Sequence, residues 1–187
     1  MNIKKYIIYS SIISLFSEAF LVNIGFDFKF FYIIILLNSF IIVSKNGLLG
    51  NKILFTILAL LSFTSVFNII LGLNTFPLFL MQLVGITYVS LYYYIFFLYV
   101  NDYNLLFKIY VKISYYVSLI GIFIFIIQLL FYGRFVRIES IMNEPAHFVV
   151  LIMPAFYFLF WKYLKFRLYK KEFLVILVCI ILAGSSV

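Results

Sequence analysis

The chain has 187 residues, of which 67% are apolar, 22% aromatic and only 11% charged, with a formal net charge of +8 and a mean hydropathy of +1.21. Soluble domains are about 45–50% apolar and about 25% charged, so a water-facing fold of this size cannot hide these side chains. The composition specifies an all-α integral membrane protein, and at about 20 residues per span it excludes a separate soluble catalytic domain. The single cysteine, Cys179, lies inside the last apolar run, which excludes a disulfide framework and a cysteine metal cluster.

Charge-poor runs follow one another at Tyr6–Val22, Phe30–Ser44, Ile53–Leu71, Phe76–Val100, Ile109–Tyr132, Ala146–Trp161 and Phe173–Val187. They read as about six complete transmembrane helices and a shorter seventh, forming a single multispan domain over 1–187. The first run follows Lys4 and Lys5 like a signal peptide. It lacks a small-residue cleavage site and is interrupted by Glu18, so it reads as an uncleaved helix. Glu18 is too costly to face lipid and is expected to turn toward the bundle or the outer surface. Asn23–Lys29 reads as a turn, and Ser44–Lys52 as a Gly/Asn-rich connection. No ionisable Asp, Glu, Lys, Arg or His lies between Lys52 and Asp102, and Gly72, Asn74 and Pro77 divide that stretch into two spans. The final run would rise about 22 Å against a hydrocarbon core of about 30 Å, so the expectation is an amino-terminal portion of a longer chain.

Lys and Arg alternate in number from one connection to the next, eleven on one side against three on the other. The positive-inside rule then places the amino terminus in the cytoplasm and the connection 133–144, between the fifth and sixth spans, outside. The basic stretch Lys162–Lys171 falls on the cytoplasmic side, where interleaved aromatic residues suit contact with lipid headgroups.

The outer segment from Gly133 to His147 differs from every other connection. It holds Arg134, Arg137, Glu139, Glu144 and the only histidine, although topology demands no charge there. Pro145 suits the first position of a helix, with Asn143 or Glu144 near its cap. The exposed backbone N–H groups of that helix end, beside two arginines, favour a phosphate or pyrophosphate. Glu144 and His147 are three apart and share one helix face, a spacing at which a carboxylate and an imidazole can orient and deprotonate a hydroxyl. The competing reading is a solvated loop with Arg–Glu pairs, a helix-capping Glu144 and an interfacial His147. Pro154, further along the same span, frees the carbonyl of Val150 and is expected to bend the helix toward other protein.

The run Arg137-Ile138-Glu139-Ser140-Ile141-Met142-Asn143-Glu144-Pro145-Ala146-His147-Phe148, entering an apolar helix after about five spans, resembles a signature of the O-antigen polymerase and ligase family. That signature, found in O-antigen and capsular polysaccharide polymerases, reads Arg-x-x-(Ser/Gly)-x-x-x-Glu-Pro-Ser-x-Phe-Ala. Ala146 and Val149 depart from it, while Arg137, Glu144 and Pro145 match. The ending Leu182-Ala183-Gly184-Ser185-Ser186 is similar to the family's next helix. The resemblance implies a multi-pass protein of the bacterial inner membrane and a glycosyltransferase reaction in lipopolysaccharide or capsule synthesis. A growing glycan would leave its undecaprenyl pyrophosphate carrier for the terminal sugar of a new lipid-linked repeat unit, on the outer face. By that resemblance Arg137 and Arg134 bind the donor pyrophosphate, and Glu144 or His147 is catalytic at the acceptor hydroxyl. Charge neutralisation by arginine would replace a metal, so neither metal nor other cofactor is implied. The implied partners are the lipid-linked glycan, membrane lipids and a chain-length regulator protein, with no nucleic acid. The full-length protein would be the enzyme and this portion alone inactive.

Three other readings compete: a sibling ligase, a flippase or transporter for lipid-linked oligosaccharide, and a non-catalytic membrane fragment or subunit. The spans show no inverted repeat, which counts against the transporter.

Overall fold

The computed structural model describes residues 2–17, 20–23, 27–47, 52–73, 75–133 and 145–184. Among the described residues there are seven helices, α1 (Ile3–Leu15), α2 (Phe30–Asn46), α3 (Lys52–Ile70), α4 (Phe76–Val100), α5 (Tyr103–Tyr132), α6 (Pro145–Phe166) and α7 (Lys170–Gly184). A two-stranded antiparallel hairpin, β1 (Leu21–Asn23) and β2 (Asp27–Lys29), stands between α1 and α2.

Several of these helices are apolar round most of their circumference. In α3, Phe55, Leu60, Phe63, Phe67 and Ile70 are all exposed, and no charged side chain lies between Ile53 and Ile70. A helix of that kind belongs in a large core or in lipid, not at a water surface. By length and composition α4, α5 as far as Phe131, and α6 are long and apolar enough to cross a membrane. They have 25, 30 and 22 residues, and any helix above about 20 residues exceeds the hydrocarbon thickness of about 30 Å. α2 and the Leu54–Ile70 part of α3 are shorter apolar helices.

Local chemistry sets the helix ends. Gly72, at φ +70°, closes α3: its N–H reaches the carbonyl of Ile69 and that of Leu73 reaches Asn68, both at 2.9 Å. This double bond to the last carbonyls is the usual stop for a helix followed by glycine. Asp102 opens α5 by accepting the N–H of Leu105 at 3.0 Å, so the helix starts six residues before the apolar run at Ile109. The first helix is shorter than its apolar run, ending at Leu15, and the residues Leu21 and Val22 that close the run pair as a strand instead.

The chain divides into two compact units. Met1–Ile34 with Asp102–Val187 forms the first, and Ile35–Asn101 the second. The core of the first unit is a seam between α6 and α7. Phe148, Ile152, Ala155 and Leu159 make the buried stripe of α6, and Phe173, Ile176, Cys179 and Ala183 that of α7. Both stripes advance by three or four residues, which keeps one face of each helix on its partner. The small residues Ser114 and Ser118 of α5, both fully buried, let α7 approach closely enough for the Cys179 thiol to donate to the Ser118 carbonyl at 3.1 Å. In the second unit the buried Asn38 amide donates to the Tyr92 hydroxyl at 3.2 Å, joining α2 to α4.

Candidate functional site

α6 begins at Pro145, the position the sequence pattern assigns to its start. His147 therefore lies in the first turn, where backbone N–H groups have no partner inside the helix and the helix dipole is positive. The side chain is exposed and lines a cavity of about 290 Å³ in the first unit.

The rest of the wall comes from the amino-terminal part of the chain. α1 ends by tightening: Phe16 N–H bonds to the Ile13 carbonyl at 3.0 Å and Ser17 N–H to the Ser14 carbonyl at 3.1 Å. The Ser14 and Ser17 hydroxyls turn back on the carbonyls of Ser11 and Ser14, at 2.8 and 2.7 Å, as serine does inside apolar helices. The chain then folds into the hairpin with Leu21 opposite Lys29, and Phe30 N–H extends the ladder to the Phe20 carbonyl at 2.9 Å. This pairing returns Lys29 to the level of the α1 terminus. Lys29, together with Tyr32 of the first turn of α2, thus lines the same cavity as Ser14 and His147.

Val150 and Leu151 of α6 complete that wall. Pro154 has no N–H to offer the Val150 carbonyl, yet this stretch of α6 does not face protein as expected. Val150 is 68% exposed and Pro154 is exposed too, because they share the outward stripe of α6 with Tyr157 and Trp161. The protein-facing contact is one residue on, where the Tyr110 hydroxyl of α5 donates to the Leu151 carbonyl.

Of the residues singled out in the sequence, His147 has a place in this cavity. Arg134, Arg137 and Glu144, like Glu18 and the Ser185–Ser186 pair, lie outside the described residues. α5 stops at Gly133, whose φ of +60° suits glycine and whose N–H bonds to the Leu129 carbonyl at 3.0 Å; the chain enters the description again at Pro145. Sequence reasoning missed Lys29, Tyr32 and Ser14. Lys29 carried a signal, being the only Lys or Arg between Lys5 and Lys45, but it had been counted only as a topological charge. Tyr32 was lost among the 16 tyrosines of a biased composition.

An ammonium, an imidazole, a phenol and the positive end of a helix face one space beside Leu15, Phe31, Val150 and Leu151, and among the described residues no carboxylate lines it. Such a site suits an anion. No family model, curated protein or solved structure matches the chain.

Proposed function

We propose that this chain belongs to a polysaccharide polymerase, a glycosyltransferase that joins undecaprenyl pyrophosphate-linked repeat units at the outer face of the bacterial inner membrane. The observation that carries the reading is the cavity in which His147, two residues after the Glu-Pro pair of the signature, meets Lys29. In this reading the chain crosses the membrane about six times with its amino terminus in the cytoplasm, and the His147 end of α6 lies outside.

Arg137 and Arg134 bind the donor pyrophosphate through paired N–H donors, and Lys29 supplies a further positive charge beside His147. Glu144 or His147 takes the proton of the acceptor hydroxyl as that oxygen attacks the anomeric carbon. The bond from that carbon to the pyrophosphate oxygen breaks, and the arginines receive the negative charge that leaves.

In cells making the full-length protein, Arg137→Ala is expected to abolish the ladder of long glycan chains and to leave single repeats on the surface. An unchanged ladder would remove Arg137 from the reaction. Loss of single repeats as well would favour an export or ligase role over a polymerase. Orientation has its own test: a cysteine placed at Ser140 should react with an impermeant thiol reagent in intact cells. Cys179 is fully buried and should stay silent. Labelling that begins only after lysis would reverse the topology.

A further inference from the structure

The first unit holds a second and larger cavity, about 540 Å³, toward the opposite end of α6 from His147. Lys108 and Lys112 of α5, Lys162 of α6 and Glu172 of α7 supply its charges. Lys108 and Lys112 are one helical turn apart, so two like charges face the same space at a cost to the helix. Lys162 is half-buried and arrives from another helix, its Nζ 4.8 Å from the Trp161 ring and 5.6 Å from the Phe158 ring. Phe158 lines the cavity, while Trp161 and Phe166, the latter 5.1 Å from the Nζ, are exposed beside it, so the ammonium is held over three rings at the cavity rim. Among the described residues no ion pair joins these lysines to Glu172, which leaves three positive charges against one negative.

The walls are firmly built. Phe107 and Phe158 bring α5 and α6 together with ring centroids 5.3 Å apart, and Tyr163 stacks on Phe173 at 5.3 Å across the joint between α6 and α7. Arg167 and Tyr169 take left-handed φ of 55° and 59°, turning the chain within three residues and setting Leu168 against the cavity.

Seven of the twelve lining residues are apolar or aromatic, and the space is far larger than a phosphate ion needs. Positive charge beside an apolar wall, on helices long and apolar enough to cross a membrane, matches an amphiphile with an anionic head. We propose that this cavity binds the phosphate headgroup of an anionic phospholipid, with the three lysines around the phosphate and the first chain carbons against Phe107, Phe158 and Leu168. Lysine binds phosphate as a point charge, and three of them around one phosphate need no fixed orientation of its oxygens. Lys165, Lys170 and Lys171 on the adjoining surface would concentrate such lipids nearby. The proposal uses neither Arg137 nor His147 and stands whether or not the polymerase reading does.

The test is native mass spectrometry of the protein released from phosphatidylcholine nanodiscs doped with phosphatidylglycerol. Wild-type protein should retain phosphatidylglycerol over phosphatidylcholine by about tenfold. K108Q/K112Q/K162Q should lose that preference, whereas K165Q/K170Q/K171Q, with the same loss of charge outside the cavity, should keep it. Equal loss in both triples, or no preference in the wild type, would overturn the site. Should the first triple fail to fold, E172Q decides: removing the one opposing charge should raise phosphatidylglycerol retention severalfold, and an unchanged or lower value would refute the proposal. Displacement of the lipid by millimolar inorganic phosphate would assign the cavity to a soluble anion and overturn the lipid.

Discussion

The two ends of α6 meet the same physical problem, positive charge at the edge of an apolar helix bundle, in different ways. At the amino end a single lysine and a single imidazole share a small cavity, brought there by the turn of a hairpin and the first turns of two helices. At the other end three lysines from two helices surround a space nearly twice as large, walled by aromatic rings. Few, differing groups suit chemistry on one bond of a ligand, because each can take a separate role. Several identical cations suit retention of charge without choosing an orientation. Density of ionisable groups along the chain is therefore a poor guide to density in space. The segment 133–147 gathers five ionisable side chains in sequence, while Lys108 and Lys162 are 54 positions apart and still line one cavity.

The largest effect that would test this division is expected for His147→Ala in the full-length protein. If His147 takes the acceptor proton, as proposed, its loss should lower glycan polymerisation by about 100-fold or more. Lys29→Gln, which removes charge but no proton-transfer group, should cost about tenfold by the usual worth of one charge-assisted contact. Neither change should alter phosphatidylglycerol retention, and Lys162→Gln should leave polymerisation untouched. If Lys162→Gln slowed polymerisation as much as Lys29→Gln, the two cavities would not be separate sites. If His147→Ala polymerised normally, the amino-end cavity would be a packing feature.

Much of the helical frame was legible because it rests on local chemistry. The stop at Gly72, the start of α4 at Phe76 just before Pro77, and the start of α6 at Pro145 follow from residues that fix φ or lack an N–H. The first run was misjudged beyond Leu15 because apolarity alone does not separate a strand from a helix over a few residues. Leu21 and Val22 are as apolar as their helical predecessors, and it is their pairing with Lys29 and Phe28 that makes them a strand. The same pairing explains why the amino-end cavity was only half visible. His147 stood out in the sequence, but nothing local to Lys29 says that a hairpin returns it to the end of α1. At the other end Lys108 and Lys112 read only as topology and Lys162 as part of a stretch suited to lipid headgroups, since the convergence of the three depends on the packing of α5 against α6 and α7.

Tyr110 offers the finest test of whether the two ends act independently. Its hydroxyl donates to the carbonyl of Leu151, which lines the smaller cavity, and its ring lies 6.3 Å from that of Phe107, which lines the larger one. The bond falls one residue from the carbonyl that Pro154 deprives of its helix donor, where α6 most needs a brace from outside. Tyr110→Phe deletes the hydroxyl and keeps the ring, so the unfolding free energy should fall by only about 0.6–1 kcal/mol, as for other hydrogen bonds between apolar helices. Unfolding in detergent measures that loss. Paired assays of polymerisation and phosphatidylglycerol retention then show how it is shared. A brace that holds α6 straight against α5 should cost both ends a similar small factor, since each depends on the same helix axis. A deficit at the His147 end alone would mean that α6 hinges at Pro154 and that its two halves carry their sites separately.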